Sequence, residues 1–482
     1  MSYKVTITLI DEVNCHVGGL SLPIKKKLSE ALSFPVKGAY MTVAYQMGDW
    51  DGKESFIDDR GFTFTYFIEK IIETIISFGV KEEQITIKDE REYDLLPDDI
   101  PTVDENFLVE ETGKVLRDYQ VRGINDVITQ KKGVINFATN AGKILINVGI
   151  CKALDPYCKT VSIVPSAHLV KQTKKEMEKT SLSVKAIDAK VKVDDREEAI
   201  KNHNHLIITK KLFLNCAQHF TDDQFALIYD EAHSMGSEMG DRLRFDIPHS
   251  IVRIGMTGSF PKDRSKAAFI YTRLGAGSLG EVRNDELIQR QFSAKPYITM
   301  IGTHDPHFNS QIDECDLEWD MEWKYLTTNE PRIKEINDYI NSFDKKNTLV
   351  LCFPEVAKKI ATMNGEDYIT QDTKLEDRIS YFEKFDQEEG YRLFGSFDTS
   401  GTGISVDNIE RLVLIDVGKN ETWIKQGIGR GLRTDGKLLH LEVIDIYSKT
   451  KYSRRHKKER VKVYKDEKFE FVDENNYITI TQ

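Results

Sequence analysis

The sequence has little that would anchor, cross-link or decorate it. No apolar run approaches the ~20 residues of a membrane span. The opening MSYKVTITLIDEV lacks the basic-then-apolar pattern of a signal peptide, so a cytoplasmic protein is expected, in the host cytoplasm if the source is viral. Six cysteines (Cys15, Cys151, Cys158, Cys216, Cys315, Cys352) show neither a Cys-x-x-Cys nor a metal-ligand spacing, and the eleven histidines do not gather around them. Free thiols are expected, without a zinc module or a disulfide scaffold. Basic charge is not in excess either. Against 67 Lys and Arg stand 78 Asp and Glu, a net charge of −11, which excludes a protein that works by bulk positive charge but leaves room for a local basic surface. Low-complexity tracts and short repeats are missing.

What is there describes a soluble globular chain. Its 482 residues, 40% hydrophobic and 30% charged, predict roughly two to four domains. Alternating Val5, Ile7 and Leu9 open on a strand. An aromatic-rich hairpin and an amphipathic helix from Phe67 to Phe78 complete a first unit, 1–107, and the proline-marked acidic stretch Leu95–Pro101 reads as a linker. Beyond it, β-branched runs alternate with helical patterns, first at Gly133–Phe137, Thr160–Val164, Leu206–Ile208, Ala226–Tyr229 and Val252–Met256. A second set follows at Tyr297–Ile301, Thr348–Phe353, Arg392–Phe397, Leu412–Asp416 and Leu441–Ile446. Buried strands alternating with helices predict parallel sheets covered on both faces. The fold class is therefore α/β, with two tandem doubly wound domains, 108–292 and 293–482, after a small α+β domain. The dense basic stretch Lys449–Lys465 reads on composition as a solvated helix face.

Three segments carry chemistry. The strand ending at Phe137 runs into Ala138-Thr139-Asn140-Ala141-Gly142-Lys143-Ile144. A strand, a turn of small residues and a helix aim backbone N–H groups at phosphate oxygens, with Lys143 as the cation for the β- and γ-phosphates. The hydroxyl that normally follows this lysine and coordinates magnesium is replaced by Ile144. Asp230 and Glu231 follow an apolar strand and project from its C-terminal end, where open α/β sheets bind ligands. Asp230 suits a magnesium ion, directly or through water, and Glu231 suits proton abstraction from the attacking water; two acidic residues capping a helix are the plainer alternative. Arg430 and Arg433, preceded by Gln426, Gly427 and Gly429, lie one helical turn apart and suit the charge on a transferring phosphoryl group.

Taken in order, these segments resemble the superfamily-two helicases and translocases over about residues 112–448. Leu116-Arg117-Asp118-Tyr119-Gln120 is similar to the family's adenine-reading motif, with Arg117 and Gln120 toward the base. Pro165, Ser166 and Gln172 fall in a segment similar to motif Ia, and Thr209-Lys210 resembles a strand-end motif that touches the nucleic-acid backbone. Met256-Thr257-Gly258-Ser259 stands where motif III couples hydrolysis to movement. Ser396–Val406 resembles motif V, with Thr399 and Thr402 toward nucleic acid and Gly403 toward nucleotide. The resemblance implies RecA-like domains, ATP and Mg2+ as cofactors, and ATP in a cleft between the domains that opens and closes with hydrolysis. Tyr45–Lys53 further resembles a segment near the start of the phage UvsW-type recombination helicases, which implies branch recognition by residues 1–107 and places Trp50, Lys53 and Arg60 near a duplex or fork. A plain β-hairpin with a Trp-Asp-Gly turn is the alternative for that segment.

The resulting expectation is an ATP-dependent DNA helicase or translocase acting on forks and four-way junctions in replication, recombination and repair. Its partners would be single-stranded, forked or four-way DNA, with no membrane and no small-molecule substrate besides ATP. An RNA helicase or a duplex translocase of the same superfamily is one alternative; a hydrolysis-poor ATP-binding DNA-binding protein, suggested by Ile144, is another.

Overall fold

The computed structural model describes residues 4–91, 96–188, 191–220, 225–306, 308, 318–396, 408–432 and 440–480. By its contacts the chain falls into two compact units, Met1–Phe137 with Gly142–Glu281, and Ala138–Ala141 with Val282–Gln482.

The first unit begins with six short strands: β1 (Val5–Leu9), β2 (Asn14–Gly18), β3 (Ser33–Pro35), β4 (Lys53–Ser55), β5 (Phe62–Phe64) and β6 (Ile85–Asp89). Four form a sheet of order β5-β2-β1-β6, antiparallel at β2/β5 and β1/β2 and parallel at β1/β6, while β3 and β4 make an antiparallel ribbon. The helices Leu22–Ala31 and Ile68–Ser77 bury Ile24, Leu28, Ile71 and Ile75, and the core gains Phe56, Phe64 and Phe67, whose rings meet edge to face.

Two expectations for this region need correction. Residues 40–52 form no hairpin. The Thr42 hydroxyl caps the short helix Val43–Gln46, and the chain then reaches β4 through Gly48 and Gly52, both at positive φ. Nor is 96–101 a free linker: Leu96, Ile100 and Val103 are buried. The Asn125 amide brackets the Val103 backbone, accepting from its N–H at 2.8 Å and donating to its carbonyl at 3.0 Å. Apolar side chains within an acidic stretch decide its fate, because burying them outweighs the solubility of their neighbours.

The larger sheet of this unit contains β7 (Lys132–Phe137), β8 (Lys159–Val164), β9 (Val184–Ile187), β10 (His205–Thr209), β11 (Phe225–Asp230), β12 (Val252–Thr257) and β13 (Ser278–Val282), in the order β13-β7-β12-β11-β8-β10-β9. The pairs from β7 to β9 are parallel. Its central strands are buried on both faces, as their unbroken apolar runs require. Register sets Asp230 beside Met256, and Thr257 beside Asn136. The C-terminal ends of β7, β12 and β11 therefore lie side by side.

The second unit repeats the plan. Strands β14 (Lys295–His304), β15 (Thr348–Cys352), β16 (Asp367–Ile369), β17 (Arg392–Ser396), β18 (Arg411–Ile415), β19 (His440–Ser448) and β20 (Glu470–Thr479) form a parallel sheet of order β16-β17-β15-β18-β19-β14-β20. The chain thus holds two parallel-sheet α/β layers and a small mixed N-terminal part. The basic stretch forms the helix Lys451–Asp466, which buries Ser453, Val463 and Tyr464, and one of its basic residues departs from the solvated-face reading. Arg460 is fully buried, its guanidinium donating to both carboxylate oxygens of Asp445 at 2.8 Å.

Candidate functional site

The turn after β7 is shaped by two left-handed residues, Asn140 at φ 82° and Gly142 at φ 74°, and the helix Lys143–Leu154 starts directly behind them. Only a small residue fits at Gly142, because a Cβ there would run into the Gln120 amide. Gln120 is buried. Its Oε1 accepts from the Arg117 backbone N–H at 2.8 Å, closing the start of the helix Asp118–Gln130, while Arg117 Nη1 donates to the Tyr119 hydroxyl at 2.8 Å. Gln120, expected from the sequence to face the base, therefore packs against the turn at Gly142. Lys143 Nζ donates to the Phe137 carbonyl at 3.1 Å. Ile144, half-buried, offers no oxygen in the first turn of its helix.

The carboxylates sit on the neighbouring strand end. Asp230 closes β11, and its Oδ1 is buried without a hydrogen-bond partner among the described residues. Burial pushes this carboxyl up to about 7, with Glu231 adding to the rise and Lys143 and His233 holding it back. Glu231 follows at φ 53°, a left-handed conformation that costs a glutamate of order 1–3 kcal/mol; such strain concentrates at functional sites. His233 Nδ1 lies 3.1 Å from Glu231 Oε2, 2.9 Å from Thr257 Oγ1 and 3.3 Å from Ser259 Oγ. This imidazole joins the acidic segment to the end of β12.

A buried carboxylate oxygen without a partner, beside a second carboxylate and below a helix N-terminus, fits a divalent cation carried by a phosphate. Among the described residues no cluster of three or more His, Cys, Asp or Glu could hold a metal alone. The donor set suits an ion whose shell is completed by nucleotide and water.

The residues expected to touch nucleic acid are partly occupied within the protein. Ser166 caps the helix Ala167–Met177, accepting from the Leu169 N–H, with half-buried Pro165 before it and half-buried Gln172 inside the helix. Thr209 caps the helix Lys210–Cys216 through the Leu212 N–H. Lys210 Nζ donates to the Ser234 carbonyl at 2.6 Å, and burial holds its ammonium below the ordinary lysine range. That bond ties β10 to the acidic segment, a link that spacing along the chain does not reveal. Trp50 Nε1 donates to the Lys53 carbonyl at 2.7 Å at the start of β4, where the lysine side chain is exposed.

In the second unit Gln426 lies in the helix Glu421–Gly431. Gly429 packs against Thr139, since a Cβ there would come within 2.7 Å of the Thr139 Cβ. In the same unit Asn140 Nδ2 donates to Ser293 Oγ at 3.2 Å, and Ala141 is buried. The backbone of Arg430 belongs to that helix, but its side chain, together with Thr399, Thr402, Gly403 and Arg433, lies outside the described residues. The residues that sequence reasoning left out of the site are His233, Thr257 and Ser259 as a hydrogen-bonded group; the adjacency of the Asp-Glu-Ala-His and Thr-Gly-Ser segments at two strand ends is the signal that could have found them.

Residues 113–262 match the family model "Type III restriction enzyme, res subunit". The "ATP-dependent DNA helicase uvsW" of Enterobacteria phage T4 is 21% identical over 481 residues, covering 92% of this chain and 94% of that protein. A provisionally named helicase, number 22, of Sulfolobus islandicus filamentous virus is 26% identical over 356 residues; the match takes in 66% of this chain and spans 61% of that relative's length. Among solved structures, a fragment assigned to the HsdR subunit of a type I restriction enzyme from Vibrio vulnificus YJ016 superposes with a TM-score of 0.51 at 18% identity, over 71% of this chain and 67% of that one, and shares its fold. With a relative aligned along nearly its whole length and a restriction-type model across the first parallel-sheet layer, the chain is a homologue of the UvsW helicase, of superfamily-two type.

Proposed function

We propose that this chain is an ATP-driven DNA helicase or translocase that remodels forks and four-way junctions in replication, recombination and repair. The observation that supports it most is the strand-end cluster of the first unit: a left-handed turn feeding a helix N-terminus at Lys143, with Asp230, whose Oδ1 is buried without a hydrogen-bond partner among the described residues, and the strained Glu231. Phosphates would lie on the N–H groups of that turn and on Lys143, with Arg117 and Gln120 serving the base. Asp230 would hold magnesium, which when bound neutralises charge on the phosphates. Glu231 would take the proton of the attacking water, with His233 orienting its carboxylate. Arg430 and Arg433, with Gln426, would stabilise the charge that develops on transfer. Such groups raise a rate by being arranged before the reaction starts.

DNA as the track is supported by the printed name of the T4 relative. Thr209, Lys210, Thr399 and Thr402 would grip one strand through phosphates, with little reading of bases, Pro165, Ser166 and Gln172 would complete those contacts, and Gly403 would face the nucleotide. Residues 1–107, with Trp50 and Lys53, would supply branch selectivity to the motor parts 108–292 and 293–482. A second reading, an ATP-binding protein that hydrolyses poorly, is favoured by Ile144 alone.

Steady-state ATP hydrolysis decides between them. Turnover measured without nucleic acid and with single-stranded, duplex and forked DNA, and with RNA, should rise most with forked DNA. A larger rise with RNA overturns the DNA assignment. Slow turnover that no nucleic acid raises overturns the motor.

A further inference from the structure

The first unit contains a second polar recess that the nucleotide site does not use. It is a cavity of about 570 Å³ bordered by Phe62, Phe64, Arg244, Phe245 and Arg273, with Arg60 at its rim. That volume is within the roughly 300–1,000 Å³ of small-molecule sites and far exceeds what a phosphate ion fills.

Its cations are unusual. Arg273 is only 7% exposed, yet among the described residues its Nε is buried without a hydrogen-bond partner, and its Nη1 donates to the Thr272 hydroxyl at 2.9 Å. Arg244 is half-buried and donates from Nε to Asn14 Oδ1 at 2.8 Å. Neither makes an ion pair with a carboxylate among the described residues. Both guanidinium groups lie over the Phe64 ring, at 4.3 Å for Arg244 and 4.8 Å for Arg273. Burial, and then the neighbouring Arg244, lower Arg273 to about 10. Two like charges held over one ring in a recess are costly. The nearby carboxylates, Asp11, Asp241 and Asp58 for Arg244 and Asp241 and Glu54 for Arg273, offset only part of that cost, because burial still lowers both groups.

The carboxylates lining the cavity are hydrogen-bonded within the protein and form no ion pair with Arg244 or Arg273 among the described residues. Asp11 accepts from the backbone N–H groups of Val13 and Asn14, Glu54 from the Ser265 hydroxyl, and Asp58 from Arg60 and from the Phe62 N–H. Guanidinium and ring surface line the space together with these carboxylates. Phe62 is 38% exposed and Phe245 is 64% exposed, which leaves them able to take the face of a base.

We propose that this cavity binds one phosphate-bearing nucleotide unit, its phosphate on Arg244 and Arg273 and its base against Phe245 and Phe62. The unit comes either from a nucleic-acid strand or from a free nucleotide, and the same chemistry serves both. The inference goes beyond the ATP-driven reading and rests on the cavity alone.

Hydrogen exchange of the full chain without ATP tests it, over residues 54–64 and 242–247, with a short single-stranded DNA, with dAMP and with inorganic phosphate. DNA or dAMP should slow exchange there at lower concentration than phosphate does; whichever acts at the lower concentration is the source. Phe245→Ala and Arg244→Gln, both at solvent-reached positions, should each weaken the protection about fivefold or more, and Arg244→Gln should also flatten its salt dependence. If Arg273→Gln fails to fold, these two still decide the matter. Protection by phosphate alone, by none of the three, or undiminished in both variants overturns the proposal. DNA-stimulated ATP hydrolysis is scored separately: stimulation without protection sinks this cavity and leaves the motor, and protection without stimulation does the reverse.

Discussion

Buried charge is completed by partners in the second unit, whereas the first unit completes some, as Glu12 with Lys132 and Arg91, and leaves others open. In the second, Arg460 meets both oxygens of Asp445, and Tyr464 adds a hydroxyl to the same carboxylate at 2.8 Å. Arg332 pairs with Asp416, whose other oxygen accepts from the Ser448 N–H and the Ser453 hydroxyl. Every oxygen of these carboxylates is used. In the first unit Asp230 Oδ1 and Arg273 Nε are buried without hydrogen-bond partners among the described residues. A charge without a partner costs several times what a satisfied one does, so a fold retains it only where something else completes it. Completed pairs are read as structure and incomplete ones as places for ligands.

The hardest way to break that comparison is to make a completed pair incomplete. Asp445→Asn leaves Arg460 buried without its charge partner, and should cost about 3–5 kcal/mol in urea unfolding. A loss below about 1 kcal/mol would mean that the second unit tolerates what the first unit displays, and the distinction would fail. The reverse pattern is expected at Glu231. Glu231→Gln should lower ATP turnover by on the order of a thousandfold, about 4 kcal/mol of barrier, while unfolding shifts by no more than about 0.5 kcal/mol. Turnover within threefold of the parent would remove Glu231 from the chemistry.

Much of this contrast was legible in the sequence, and some of it was not, for physical reasons. The central strands announced themselves because burial on both faces demands unbroken apolar runs, as in Phe225–Asp230 and Arg411–Ile415. The strands β9, β16 and β20 did not, because edge strands are wetter and carry residues such as Lys185, Asp367 and Asp473. The aromatic segment near Trp50 suggested a hairpin, but Thr42 caps a helical turn there. Asp230 and Glu231 were visible as a strand end. The bonds from His233 to Thr257 and from Lys210 to Ser234 depend on which strands become neighbours, which no local pattern encodes. The cavity was further out of reach, since Asn14 and Arg244 meet across 230 residues.

A smaller effect should sharpen the comparison at Ile144. If the site of Asp230 is incomplete because a metal completes it, restoring a hydroxyl beside Lys143 should help. Ile144→Thr is expected to raise ATP turnover by roughly tenfold, as about 1.4 kcal/mol of barrier would give, and to lower the magnesium concentration needed for half-maximal rate. An unchanged rate and an unchanged magnesium requirement would mean that another group of this chain already supplies the oxygen.

The smallest effect asks whether completeness, and not membership in one unit, separates structure from site. His205 belongs to the first unit but is satisfied: its Nδ1 lies 2.9 Å from Thr160 Oγ1 and its Nε2 2.7 Å from Asp155 Oδ1. Burial lowers its pKa below the ordinary histidine value, more than Asp155 raises it. The sign follows directly. Below about pH 6.5 the unfolded chain takes up a proton that the folded chain resists, so this residue makes stability fall as the solution is acidified and contributes no slope above that range. His205→Gln should remove that part of the acid dependence in unfolding measured from pH 7.5 to 5. ATP turnover at pH 7.5 should stay within about twofold, as for a group whose bonds all end inside the protein. A large loss of turnover would place His205 with the incomplete charges despite its full complement of partners. Completeness would then be no guide to function in this molecule.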